Sequence, residues 1–193
     1  TRHQPGATKP HRPKSNYGTC CPSNVLRTLA EMQDYFYSIS EDDLWIHHYG
    51  GNRFDNGTYK IEQKTDYPWD GGINISIESA PKNETIHLRI PGWADTYSVQ
   101  INGKLLAASS EPGTYVAVQH DWKKGDTITL HLPLDVRFMR AHRKVDSTHN
   151  QIAIARGPIL YCLESPDLPE GVDVSEIIIP RDIDLTPTYE PDC

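Results

Sequence analysis

Two hydrophobic periods divide the chain. From Pro22 onward, Val25, Leu26, Leu29, Met32 and Phe36 recur at the spacing of one apolar helix face, which predicts a helix over residues 22–37. Pro22 suits the first turn of that helix, where its missing N–H costs nothing. After Ser40-Glu41-Asp42-Asp43 the period falls to two. Ile73, Ile75 and Ile77 alternate with Asn74, Ser76 and Glu78, as in a half-buried strand. Further strands are predicted over 44–49, 58–63, 85–90, 98–101, 115–119, 127–132, 136–141 and 151–162, with a last short one over 176–179. Asn102-Gly103 and Lys124-Gly125-Asp126 are tight-turn signals between them. Short strands with turns between argue for a mainly β chain folded as an antiparallel sandwich. Ile152, Ile154, Ile159 and Leu160 are expected in the core, with Cys162 as a core thiol. The single helix cannot bury its stripe alone, so it calls for helical partners or for packing on the sheet.

Composition narrows the classes. The 193 residues carry a net charge of -7 and no long basic run, which argues against nucleic acid as a partner. No apolar stretch approaches the roughly 20 residues a membrane-spanning helix needs, and the first residues have no apolar core like that of a signal peptide. Thr1 to Thr19 is proline-rich and basic, and reads as a loop with His3 and His11 solvated. Four cysteines, Cys20, Cys21, Cys162 and Cys193, are too few and too irregular for a disulfide scaffold, and Cys193 is expected to be exposed. Asn56-Gly57-Thr58, Asn74-Ile75-Ser76 and Asn83-Glu84-Thr85 fit the glycosylation triplet and read as chance matches.

The chemistry concentrates at Cys20 and Cys21, which immediately precede Pro22. Free backbone N–H groups and the positive dipole end of a helix stabilise an anion there. A thiol so placed has its pKa lowered, and the thiolate is the form that attacks carbon or binds metal. A disulfide between the neighbours is disfavoured, because adjacent Cα atoms lie closer than disulfide geometry prefers. Buried inert thiols, a metal site and a reactive thiolate remain open. His47 and His48 adjoin on a predicted strand and point to opposite faces, so one is expected packed and one solvated. Tyr67, Trp69, Asp70 and Trp93 suit either a sugar platform or core anchoring. Asp66 and Asp70 fall in a turn, a poor place for a catalytic carboxylate pair.

The same residues carry a resemblance. Cys20-Cys21-Pro22-Ser23-Asn24, followed by Arg27, Leu29, Ala30 and Tyr35, resembles the end of the catalytic domain in bacterial glycoside hydrolase family 127, the β-L-arabinofuranosidases and their relatives. Leu44-Trp45-Ile46-His47-His48-Tyr49 resembles the family's first strand after its barrel, and Tyr67-Pro68-Trp69-Asp70-Gly71 its next turn. Arg89-Ile90-Pro91-Gly92-Trp93, Trp122-Lys123-Lys124-Gly125-Asp126 and Arg156-Gly157-Pro158-Ile159-Leu160-Tyr161-Cys162 follow in the family's order. Each motif alone is weak; in one order over residues 15 to 165 they are specific.

The resemblance implies antiparallel β-sandwich modules preceded by the last helix of an otherwise absent (α/α)6-barrel catalytic domain. Residues 1–38 would be the end of that barrel, a loop plus one helix; 39–140 a β-sandwich domain; and 141–193 the start of a second, incomplete β domain. It implies Cys20 as nucleophile and Cys20 and Cys21 as zinc ligands. The family's remaining ligands, a Glu-x-Cys pair, and its acid/base glutamate have no counterpart in this sequence. The implied activity is zinc-dependent, retaining release of terminal arabinofuranosyl residues from arabinofuranosides or related plant glycans, with this piece inactive alone. A homodimer is compatible with that reading, a membrane partner is not expected, and a cytoplasmic location is weighed ahead of a periplasmic or secreted one. Substrate-binding residues stay unassigned. The alternative is a non-catalytic carbohydrate-binding or structural β-sandwich module with inert cysteines.

Overall fold

The structure, a computed structural model, describes residues 20–41, 43–107, 109–180 and 182–188. The expectations for Thr1 to Thr19, His3, His11 and Cys193 lie outside these residues, as do the side chains of Cys20 and Cys21. The described chain forms two compact units. The larger takes in Arg27–Asp135 and Arg156–Ile159, and the other includes Val136–Ala155.

The helix α1 runs Cys20–Glu31, and a 3-10 turn follows over Met32–Tyr35. It starts earlier and stops sooner than the apolar spacing predicts. Tyr37 is drawn instead into strand β1, Tyr37–Ser40, where it pairs with Ile46. Its ring stacks on Phe54 at 4.5 Å, and its hydroxyl donates to Asn52 Oδ1 and accepts from Gln63 Nε2. Those contacts outweigh one more helical turn. The apolar stripe of α1 is exposed: Val25 is 58% exposed, Leu26 67% and Leu29 58%.

The larger unit is a sandwich of two sheets. One has the order β1-β2-β6-β9, with β2 at Asp43–Ile46, β6 at Thr85–Arg89 and β9 at Tyr115–Gln119. The other has the order β3-β4-β5-β10-β7-β8. Its strands are β3 Asn52–Asp55, β4 Lys60–Thr65, β5 Gly72–Ser79, β7 Ser98–Ile101, β8 Lys104–Leu105 and β10 Thr127–His131. Alternate side chains of both sheets enter one core: Leu44, Ile46, Ile86, Leu88 and Val118 from the first meet Ile73, Ile75, Ile128 and Leu130 from the second. Period two in the sequence becomes a buried inner face and a polar outer one.

The pairing is antiparallel except that β2 and β6 run parallel, with Leu44 opposite Ile86 and Ile46 opposite Leu88. The intervening strands β3, β4 and β5 belong to the other sheet, so the chain re-enters the first sheet in its original direction, as a crossover connection allows. An all-antiparallel reading misses this pair.

The motif glycines explain their own presence. At Gly157, in the turn between Arg156 and Ile159, φ is +53° and an added Cβ would meet Leu134 Cδ2 at 2.5 Å. Trp122 anchors the other turn motif: it is 2% exposed, and its Nε1 donates to Glu84 O at 2.8 Å.

Beyond the sandwich, β11 Val136–Met139, β12 Ala153–Arg156 and β13 Ile159–Tyr161 form a three-stranded sheet in that order. Here the expected core is corrected. Ile152, Ile154 and Ile159 are half-buried, Leu160 is 64% exposed, and Cys162 is an exposed free thiol. Three short strands bury one face only against a second layer, and among the described residues Ala155 alone of this sheet is a buried apolar side chain. No strand forms over 176–179: a 3-10 turn at Val174–Glu176 ends there, and residues 177–179 have no regular structure. Asp173 accepts from Ser175 N at 2.8 Å, and Glu176 Oε2 accepts from Asp173 N at 2.9 Å. Such a reciprocal cap competes with extension. No helix among the described residues is long and apolar enough to cross a membrane.

Candidate functional site

Cys20 and Cys21 open α1, with Pro22 in its first turn. That is the placement the sequence predicts for the pair. No acidic side chain stands in this first turn, so nothing on the helix itself opposes the dipole's pull on a thiolate. By residue type the two are soft donors of the kind zinc accepts. Among the described residues, no three His, Cys, Asp or Glu side chains converge on a common point.

A second concentration of chemistry lies on the outer face of the β1-β2-β6-β9 sheet, and the sequence did not single it out as a group. Ser38 pairs with Trp45, and Trp45 with His87, so these three stand side by side. The Trp45 and His87 rings stack at 3.8 Å and 6°. His47, one step along, shares hydrogen bonds with Ser38 Oγ at 2.8 Å and Tyr115 Oη at 2.6 Å. Burial, then the charges of His48 and Arg89, lowers the His47 pKa below the ordinary histidine value. The alternation of 43, 45 and 47 with 85, 87 and 89 was the available signal. It becomes visible only once β2 and β6 are known to pair. His48 is exposed but its ring lies 5.8 Å from that of Phe36, so it is not simply solvated; both histidines follow Ile46, where β2 ends, and strand alternation does not set their sides.

Asp43 ties the same face together. Its Oδ1 accepts from Thr85 N, and its Oδ2 bonds His87 Nε2, each at 2.9 Å. These bonds, His87 first, hold the Asp43 carboxyl below the usual aspartate range. A depressed carboxylate contributes stability above its unfolded-state value of about 4, and that contribution is lost as pH falls through the lower folded value. Asp43→Asn is therefore expected to flatten the fall in melting temperature on acidification below about pH 4. An acid limb identical to that of the wild type would contradict the assignment.

The four candidates for a sugar platform separate. Tyr67 and Trp93 pack against the sandwich core, whereas Trp69 is 62% exposed and Asp70 is exposed beside it. Asp66 and Asp70 shape their turn: Asp66 O accepts from Trp69 N and Asp70 N, and Asp70 Oδ1 from Gly72 N. A groove of about 670 Å³ also runs between the 3-10 turn and β3, with Leu29, Met32, Phe36 and Phe54 among its walls. Its Arg53 is paired with Glu62 at 3.0 Å.

Comparison with known proteins gives a consistent result. Residues 43–134 match the family described as "Beta-L-arabinofuranosidase, GH127 middle domain", and residues 136–191 match the "Glycoside hydrolase family 127 C-terminal domain". A "Non-reducing end beta-L-arabinofuranosidase" of Bifidobacterium longum subsp. longum is 35% identical over 162 residues, covering 78% of this chain and 24% of that protein. The crystal structure of a GH127 β-L-arabinofuranosidase from Geobacillus stearothermophilus T6 superposes with a TM-score of 0.82 at 34% identity, over 95% of this chain and 30% of that one. A structure described as a glycoside hydrolase superposes with a TM-score of 0.80 at 31% identity, over 91% of this chain and 31% of that one. The chain thus spans about a quarter to a third of the length of these relatives.

Proposed function

The chain belongs to glycoside hydrolase family 127, and on that premise we propose that it is the C-terminal part of a retaining, zinc-dependent glycosidase that releases terminal arabinofuranosyl residues through Cys20. The observation that carries the reading is the adjacent cysteine pair at the head of α1. The names of the relatives supply the class of sugar.

In this mechanism the Cys20 thiolate attacks the anomeric carbon. A carbon–sulfur bond forms as the bond to the leaving oxygen breaks, and that oxygen takes a proton from a general acid outside this chain. Water then displaces the sulfur, and two inversions return the original configuration. The helix N-terminus favours the thiolate both before attack and on its release. Zinc, when bound by Cys20 and Cys21, supplies a cation that keeps both thiols deprotonated at neutral pH. Excess charge withdrawal from sulfur would blunt its attack, so the helix and the second thiolate set a balance.

The test is hydrolysis of an aryl β-L-arabinofuranoside by the full-length protein, with the configuration of the first-formed product read by NMR. Retention is expected, and no turnover by the 193-residue chain alone. An inverted product would overturn the nucleophile, and turnover by the isolated chain would overturn the need for an external acid.

A further inference from the structure

Three of the four tryptophans have a structural use. Trp122 is buried, Trp45 stacks on His87, and Trp93 packs on the core. Trp69 does not: it is 62% exposed. Yet the turn that presents it is held from every side. Trp69 N donates to Asp66 O at 2.8 Å, and Asp70 N donates to the same oxygen at 3.2 Å. Thr65 Oγ1 donates to Gly72 O at 2.6 Å and accepts from Tyr67 N at 3.0 Å. Gly72 N donates to Asp70 Oδ1 at 2.7 Å. From β12, Arg156 Nη1 donates to Trp69 O at 3.2 Å. Leaving a large apolar ring in water forgoes the stabilisation its burial would give. Fixing the backbone beneath it removes the ordering cost that a ligand would otherwise meet.

We propose that Trp69, with the exposed carboxylates of Asp66 and Asp70 on the same turn, is a stacking platform for a sugar ring of a polymeric glycan. The indole offers a flat apolar face to the C–H side of the ring. The carboxylates are acceptors for its hydroxyls, and charge-assisted bonds of this kind are the stronger ones. A cationic side chain would also stack on an indole. Arg156 already places a positive charge on the Trp69 carbonyl, and it opposes a second cation there while leaving a neutral sugar unaffected. This inference rests on the reading of the parent protein as a glycan-active enzyme.

The experiment compares full-length wild type, Trp69→Ala and Trp69→Phe by affinity electrophoresis in gels containing arabinan, with polylysine as a second probe and a thermal melt of each variant. Wild type is expected to be retarded by arabinan. Trp69→Ala should lose about tenfold in affinity, Trp69→Phe should keep most of it, and all three should melt together. The proposal is overturned by equal retardation of wild type and Trp69→Ala, by binding to polylysine alone, or by a fall in melting temperature for Trp69→Ala, which would make the indole a packing residue. Hydrolysis of the aryl arabinofuranoside by wild type is scored separately. Its absence would remove the enzyme reading while the gel comparison still decides Trp69.

Discussion

Cys20→Ser in the full-length protein is expected to lower turnover of an aryl β-L-arabinofuranoside by about 10⁴-fold, while leaving the fold intact. Serine conserves size, but its hydroxyl stays protonated near neutral pH, where a thiol at a helix N-terminus does not. The dipole of α1 that favours a thiolate does little for a neutral hydroxyl. On the proposed mechanism Cys21→Ser would remove a metal ligand while keeping the nucleophile, so its loss of turnover should be accompanied by loss of bound zinc. Near-wild-type turnover of Cys20→Ser would return the pair to the status of inert thiols and favour a non-catalytic module. A variant set in which Cys21→Ser alone abolishes turnover would exchange the two roles.

Gly71→Ala should give the largest loss of stability in the sandwich, about 3–5 kcal/mol. An alanine Cβ at this position would lie 1.9 Å from Leu132 O and 2.9 Å from Leu132 C. Both are backbone atoms, so no rotamer change relieves the overlap. The two segments are also bonded there, Leu132 N donating to Gly71 O at 2.9 Å, at the end of the β5–β10 pairing and next to the core. Moving Leu132 away would break that bond and disturb the core together. Gly51→Ala is the matched control: nothing lies within 4 Å of its added Cβ, and its melting temperature should stay near that of the wild type. Equal melting temperatures for the two variants would contradict the close approach at Gly71.

These two sites differ in how much the sequence could show. Gly71 sits in a motif whose presence was plain, but the reason for the glycine is the carbonyl of Leu132, far along the chain just past β10. The strands with strict alternation, such as Ile73, Ile75 and Ile77, were legible because their buried faces need apolar side chains at every second position. Strand β1 was not, since Phe36 continues the helical spacing and only the partners Asn52, Phe54 and Gln63 turn Tyr37 into a strand residue. Strand β3 has a single large apolar residue, Phe54, and no alternation to read. The Trp45–His87 stack depends on a parallel pairing that no local period encodes. At the candidate site, Pro22 and the apolar spacing after it were enough to put Cys20 and Cys21 at a helix start. A tetrahedral metal site needs two donors more than the pair, and no spacing around Cys21 points to any.

In the proposed mechanism Cys20 forms a covalent bond to the sugar. Rapid acid quenching of the full-length protein during turnover of a slow aryl arabinofuranoside, followed by peptide mass mapping, reads that bond directly. One pentosyl group, replacing the thiol hydrogen, is expected on the sulfur of Cys20 and on no other residue. A pentosyl group found on a carboxylate or on Cys21, or its absence under conditions where the steady-state intermediate accumulates, would contradict it.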